Sequence, residues 1–158
     1  MFRQLIYAAF LLGLCVLIHT AGTVAMARVY KSSAVHPDAI RLHQPLLRLA
    51  AGFVLVFFLH ILETLVWAGA YVALGAIGAL EDALYFSIVS FTTVGYGDLV
   101  LPPDWRIFGV CEAVAGTLMF GWSVGLLVIP PACGLAARRT GRRPAIPLSS
   151  SRLGRKAR

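Results

Sequence analysis

The chain has 158 residues, 59% of them hydrophobic and 13% charged, and its mean hydropathy is +0.81. This composition excludes a soluble globular protein and indicates an integral membrane protein. The net charge of +7 would fit nucleic-acid binding, but eight of the 14 basic residues stand between Arg138 and Arg158 with no aromatic residue among them. We therefore expect membrane lipids, and no nucleic acid, as partners of this basic segment.

Three apolar stretches run from 5 to 27, from 46 to about 70 and from 105 to 129. Each is long enough to cross a bilayer, which takes about 20 residues. We expect the Pro130–Pro131 pair to end the third stretch, because proline cannot continue a helix. Between the second and third lies a shorter segment, 81–92, which we interpret as a re-entrant helix. Non-helical backbone at membrane depth requires burial in protein or a water-filled path.

The distribution of charge predicts the orientation. The loop between the first two spans carries four basic residues and one acid, whereas the region of the short helix is acidic. The positive-inside rule then places that loop and the C-terminal tail in the cytoplasm, with the N-terminus outside a plasma or inner membrane. A signal peptide cleaved after Ala25-Met26-Ala27 is the alternative, but it would reverse this charge pattern. Trp67, Tyr71 and Trp105 fall where an outer aromatic belt is expected.

Seven consecutive residues follow the short helix and read TTVGYGD. They are Thr92, Thr93, Val94, Gly95, Tyr96, Gly97 and Asp98. The motif resembles the selectivity filter of the potassium-channel superfamily, in which rings of backbone carbonyls replace the water around K⁺. Residues 46–131 resemble that superfamily's pore module of outer helix, pore helix, filter and inner helix.

The resemblance implies which atoms hold the ion. The ligands would be the carbonyls of Thr93, Val94, Gly95 and Tyr96, with the Thr93 hydroxyl at the inner end and Gly97 at the outer mouth. Glycine reaches the positive φ values that such a backbone needs, and the side chains of Val94 and Tyr96 would point away into supporting protein. One chain provides a quarter of each ring, so the resemblance implies a four-fold symmetric homotetramer.

The expected fold is all-α, with three transmembrane helices, a re-entrant pore helix and a filter. Residues 1–45 form an extra N-terminal span and cytoplasmic loop, 46–131 the pore module, and 132–158 a basic, disordered cytoplasmic tail. The expected function is passive, K⁺-selective conduction without a voltage sensor, without enzymatic activity and without a cofactor. A non-selective cation channel and a non-conducting regulatory or structural subunit remain alternatives, and the intact motif argues against both.

The chain departs from the family pattern around the filter. Tyr85 and Phe86 stand where many relatives have two tryptophans, and Val89 stands where many have a glutamate. We expect the Tyr85 hydroxyl to reach Asp98 and brace the filter. Gly116, in the third span, is either a gating hinge, as in simple bacterial channels, or a site of close helix packing.

Four ionisable residues lie within the spans, where such groups usually face protein or water. His60 and Glu63 share a helix face, and His19 on the neighbouring span completes a cluster with them in our interpretation. The role of His60 and Glu63 is either pH sensing or packing. We expect Glu112 to replace the missing glutamate by accepting a hydrogen bond from one of three hydroxyls, with a plain packing bond as the alternative. These are the hydroxyls of Ser87, Ser90 and Thr92.

Overall fold

The computed structural model describes residues 2–32 and 43–139, and within them all regular secondary structure is helical. The elements are α1 (Phe2–Ser32), α2 (His43–Ala73), α3 (Leu80–Phe91), a short 3-10 turn (Pro103–Trp105) and α4 (Arg106–Arg139). Three helical segments are long and apolar enough to cross a membrane, which confirms the three predicted spans. They are Phe2–Arg28, Leu49–Ala73 and Pro103–Leu127.

Helix α1 lies alongside α4 and runs in the same direction. Near its start, the Gln4 side chain donates a hydrogen bond to the Asp104 carbonyl and accepts one from the Phe108 backbone N–H at 3.3 Å. About four helical turns further along, His19 Nε2 lies 3.1 Å from Ser123 Oγ. The beginnings of α1 and α4 therefore share one end of the molecule, and α2 packs against both in the opposite direction.

The core lies where α3 packs against α2 and α4. Trp67 and Tyr71 are fully buried there, and their rings lie 5.0 and 5.2 Å from the ring of Phe108. The prediction that Trp67 and Tyr71 belong to an interfacial belt is therefore wrong, because α3 and α4 cover that face of α2. Trp105 is half-buried against the same phenyl ring, 5.9 Å away.

Two glycines permit close contacts between helices. A Cβ atom at Gly116 would lie 1.9 Å from the Phe91 carbonyl oxygen, so the end of α3 rests directly on the backbone of α4. A Cβ atom at Gly22 would lie 2.3 Å from a methyl group of Leu59, where α1 crosses α2. Any larger residue at Gly116 must displace backbone, whereas one at Gly22 displaces the flexible end of a side chain.

Helix α4 continues through Pro130 and Pro131 as far as Arg139. The prediction that this pair ends the helix is therefore wrong, and residues 132–139 are helical rather than part of a disordered tail. Proline removes one backbone donor, but membrane helices tolerate this loss where neighbouring groups or local adjustment satisfy the freed carbonyl. The predicted cytoplasmic loop at 33–42 and the tail at 140–158 lie outside the described residues.

Candidate functional site

The residues TTVGYGD form a loop, here called the motif loop (92–98), that leaves the end of α3. The first turn of α3 carries Glu81 and Asp82, which suit the positive end of the helix dipole. At the other end, the Thr93 N–H donates to the Ser90 carbonyl at 2.9 Å, and the Gly95 N–H donates to the Val89 carbonyl at 3.2 Å. The start of the motif loop is thus fastened to the last turn of α3.

The backbone of the motif loop alternates in the sign of φ. Thr93, Gly95 and Gly97 have φ values of 61°, 58° and 78°, while Val94 and Tyr96 between them keep negative values. The positive values at both glycines agree with the sequence-based expectation. In a regular strand, successive carbonyls point to opposite sides, and this alternation breaks that pattern.

The positive φ of Thr93 was not expected from the sequence. A β-branched residue rarely adopts this conformation, and such backbone strain clusters at functional sites. The sequence signal that could have revealed it is the spacing, because Thr93, Gly95 and Gly97 stand two residues apart. All three have a positive φ in the structure.

The motif loop is uncovered in the single chain. Every residue from Thr93 to Asp98 is exposed, with 53% of Val94 and 72% of Tyr96 accessible to solvent. The expectation that these two side chains pack into supporting protein is therefore not met by the residues of their own chain that the structure describes. An exposed valine and an exposed tyrosine ring beside a strained backbone are typical of a surface that contacts another molecule.

A hydrogen bond joins α3 to the last residue of the motif loop. The Tyr85 hydroxyl donates to Asp98 Oδ2 at 2.5 Å, as expected, and Asp98 Oδ1 accepts from the Leu99 backbone N–H at 3.0 Å. The bond from Tyr85 lowers the pKa of Asp98 below its usual value of 3.8. The same bond raises the pKa of Tyr85. Both effects favour a phenol donating to an ionised carboxylate.

A second polar contact lies deeper, where α2, α3 and α4 meet. Glu112 is fully buried, accepts a hydrogen bond from the Tyr71 hydroxyl at 2.6 Å and lies in hydrogen-bond contact with the Ser87 hydroxyl. We call Tyr71, Ser87 and Glu112 the buried carboxyl link. Ser87 is thus the partner among the three hydroxyls considered, because Thr92 instead donates to the Ile88 carbonyl at 2.7 Å.

The proton count of the buried carboxyl link favours a neutral Glu112. The Ser87 hydroxyl lies against Glu112 and also 2.8 Å from the Thr64 carbonyl, yet it has one hydrogen to donate. A protonated Glu112 satisfies both contacts, since it donates to Ser87 while Ser87 donates to Thr64. This arrangement also avoids an unpaired charge in the membrane interior. Sequence reasoning missed Tyr71 here because its position suggested an interface.

The other ionisable residues of the spans meet in a second cluster. His19 Nδ1 lies 2.9 Å from one carboxylate oxygen of Glu63, and His60 Nδ1 lies 3.0 Å from the other. The opposite ring nitrogens of both histidines lie 3.1 and 3.0 Å from Ser123 Oγ. We call these four residues the histidine cluster. The predicted grouping of His19, His60 and Glu63 is confirmed, and Ser123 adds α4 to it.

Gly116 lies between these features, and the structure gives it a packing role. Its hydrogen leaves room for the Phe91 carbonyl, whereas Gly121 and Gly125 have no described neighbour within 4 Å of a Cβ position. The close contact supports the packing interpretation of Gly116. Its role as a gating hinge stays a prediction.

The chain has the architecture of a helical membrane protein. It has three apolar helices, and the shorter helix α3 and the motif loop lie between the second and third. A family model described as "Ion channel" matches residues 59–130, from the middle of α2 through the motif loop into α4. The match supports the predicted membership of the potassium-channel superfamily. No curated protein and no solved structure matches the chain significantly.

Proposed function

We propose that the protein is a potassium-selective channel in which the motif loop is the selectivity filter. The observation that carries the proposal is the alternation of φ at Thr93, Gly95 and Gly97 within the sequence TTVGYGD. With every second residue left-handed, the carbonyls of Thr93, Val94, Gly95 and Tyr96 can face one axis and take the place of the water around K⁺. The Thr93 hydroxyl would complete the innermost site.

The proposed functional unit is a homotetramer. One chain offers one carbonyl at each level of the filter, and a dehydrated K⁺ needs a ring of them. The exposed side chains of Val94 and Tyr96 support this assembly, because neighbouring copies around a four-fold axis would cover them. Conduction is passive, down the electrochemical gradient of K⁺.

Within each subunit, we propose that α3 is a re-entrant pore helix. Its acidic first turn fits an outward-facing N-terminus, and its C-terminus near Thr92 would direct the negative end of the helix dipole towards a permeating cation. Two contacts fit a supporting role for the filter, namely the bond from Tyr85 to Asp98 near the mouth and Glu112 behind α3. The filter mouth would face outward and the basic tail the cytoplasm.

The test is K⁺ flux through purified protein in liposomes, with Na⁺ as the competing ion. Gly95→Ala is the critical variant, because alanine at a φ of 58° is strained by about 1–2 kcal/mol and would distort the filter. Gly75→Ala is the matched control, because Gly75 has a φ of 70°, lies outside the motif loop and likewise has open space at its Cβ position.

We expect K⁺-selective flux from the wild type and from Gly75→Ala, and loss of flux or selectivity in Gly95→Ala. Equal flux of K⁺ and Na⁺ through the wild type would replace the proposal with a non-selective channel. If correctly assembled wild-type protein shows no ion flux at any voltage, pH value or lipid composition tested, a non-conducting subunit would be favoured.

A further inference from the structure

The histidine cluster joins three helices within the membrane interior, and neither the filter nor its support uses it. His19 belongs to α1, His60 and Glu63 to α2, and Ser123 to α4. His19 and Glu63 are fully buried, and His60 is 11% exposed. Polar side chains at this depth are costly unless they are paired or hold an ion, so the arrangement of their protons decides what the cluster can bind.

Ser123 fixes where the protons lie. Its Oγ lies within hydrogen-bond distance of three groups, which are the Nε2 atoms of His19 and His60 and the Met119 carbonyl at 3.0 Å. A hydroxyl donates one hydrogen and accepts two. All three contacts are satisfied together only when Ser123 donates to Met119 and each histidine donates its Nε2–H to Ser123.

With both Nε2 atoms protonated, the two Nδ1 atoms face the oxygens of Glu63. Neutral imidazoles in this tautomer would set two nitrogen lone pairs against a carboxylate at 2.9 and 3.0 Å, which is repulsive. Positive charge must therefore lie between the histidines and Glu63. It consists either of two extra protons, one on each Nδ1, or of one divalent cation. Both choices give the cluster the same net charge.

We propose that His19 Nδ1, His60 Nδ1 and the Glu63 carboxylate bind a divalent transition-metal ion of the Zn²⁺ class. Two imidazole nitrogens and one carboxylate are a common protein ligand set for zinc, with a water at the fourth position. Ser123 then accepts the outer N–H of both ligand histidines, which is the usual way in which a neighbouring group fixes the tautomer and orientation of a metal-bound ring.

The distances suit this ion after a small adjustment. One ligand atom from each of the three residues can be chosen so that all lie within 4.8 Å of one another. Around a tetrahedral Zn²⁺ with bonds near 2.0–2.1 Å, nitrogen and oxygen ligands stand about 3.3 Å apart. His19 Nδ1 lies 2.9 Å from Oε1 of Glu63 and His60 Nδ1 lies 3.0 Å from Oε2. A bond from one of these oxygens to the ion requires its pair to widen by about 0.3–0.4 Å and the carboxylate to turn towards the other histidine. Of the three ligands, His60 is the most exposed, at 11%.

The experiment measures Zn²⁺ bound to the full chain, purified in detergent without a polyhistidine tag. We expect one tightly bound Zn²⁺ per subunit in the wild type, a loss of tight binding in His60→Ala, and binding about 10–100-fold weaker in Ser123→Ala. His43→Ala is the matched control, because it removes a histidine of α2 outside the cluster and should bind Zn²⁺ as the wild type does. Mg²⁺ should not compete.

X-ray absorption at the zinc edge of the wild-type protein makes the test independent of how the variants fold. Two imidazole groups and one carboxylate oxygen near 2.0–2.1 Å are expected. Absence of stoichiometric Zn²⁺, binding unchanged in His60→Ala, or sulfur near 2.3 Å would overturn the proposal and leave the cluster as a pair of protonated histidines on Glu63. None of these measurements depends on K⁺ conduction, so the metal site and the proposed channel function stand or fall separately.

Discussion

Replacing Gly116 by alanine tests how firmly the end of α3 is seated on α4. The added Cβ atom would lie 1.9 Å from the Phe91 carbonyl oxygen and 2.8 Å from its carbon. Real Cβ contacts essentially never fall below 3.0 Å, so the two backbones must separate by at least about 1.1 Å. Overpacking of this kind costs about 1–3 kcal/mol, and the obstacle here is backbone that cannot rotate away.

The displaced residue stands two positions before Thr93, so the same substitution should disturb ion flux as well as stability. We expect Gly116→Ala to lower the unfolding temperature in detergent and to reduce K⁺ flux in liposomes. Gly121→Ala lies on the same helix with open space at its Cβ position and is the control. Gly22→Ala should be milder than Gly116→Ala, because only the end of the Leu59 side chain must move. Equal behaviour of Gly116→Ala and Gly121→Ala would refute the reasoning.

Two further predictions concern the groups that hold the motif loop. A neutral Glu112 implies that Glu112→Gln lowers the free energy of unfolding by less than about 1 kcal/mol. Glu112→Ala leaves Tyr71 and Ser87 without their partner beside a new cavity, and should lower it by about 2–5 kcal/mol, as measured by thermal unfolding. Equal destabilisation by both variants would mean that the carboxylate is charged. In the motif loop, the lowered pKa of Asp98 keeps its contact with Tyr85 intact above the ordinary value of 3.8 and lets it fail only as the pH drops through the lower folded value. The effects of Tyr85→Phe and Asp98→Asn on flux and selectivity should therefore be non-additive and constant between about pH 5 and 8, and an effect of Asp98→Asn that disappears at pH 5 would contradict this.

Features that depend on neighbouring residues in the chain were predictable from the sequence. Runs of about 25 apolar residues predicted the three spans, and the three-residue spacing of His60 and Glu63 placed both on one face of α2. The glycines at 95 and 97 predicted positive φ values, since glycine adopts them at little cost. The short helix α3 was predicted to within one residue at each end.

Features that depend on which face of a helix turns inward were harder to predict. A span is apolar on all sides, so its sequence carries little of the periodic signal that identifies the buried face of a soluble helix. Tyr71 could therefore be taken for an interfacial residue, although it donates to Glu112, and Ser123 gave no sign that it would meet two histidines. The continuation of α4 through Pro130 likewise depends on surroundings that the local sequence does not contain.

The parallel course of α1 and α4 limits how α4 can move. Gln4 accepts a hydrogen bond from the first turn of α4 at Phe108, and His19 contacts Ser123 further along. The segment of α4 between Phe108 and Ser123 is therefore held against α1 at both ends. Beyond Ser123, Leu127 still packs against Met26 of α1 and Val56 of α2. We expect α4 to bend at Pro130 and Pro131, because neither proline can donate a backbone hydrogen bond. Bending at Gly116 is disfavoured, because Gly116 lies between the two contacts with α1.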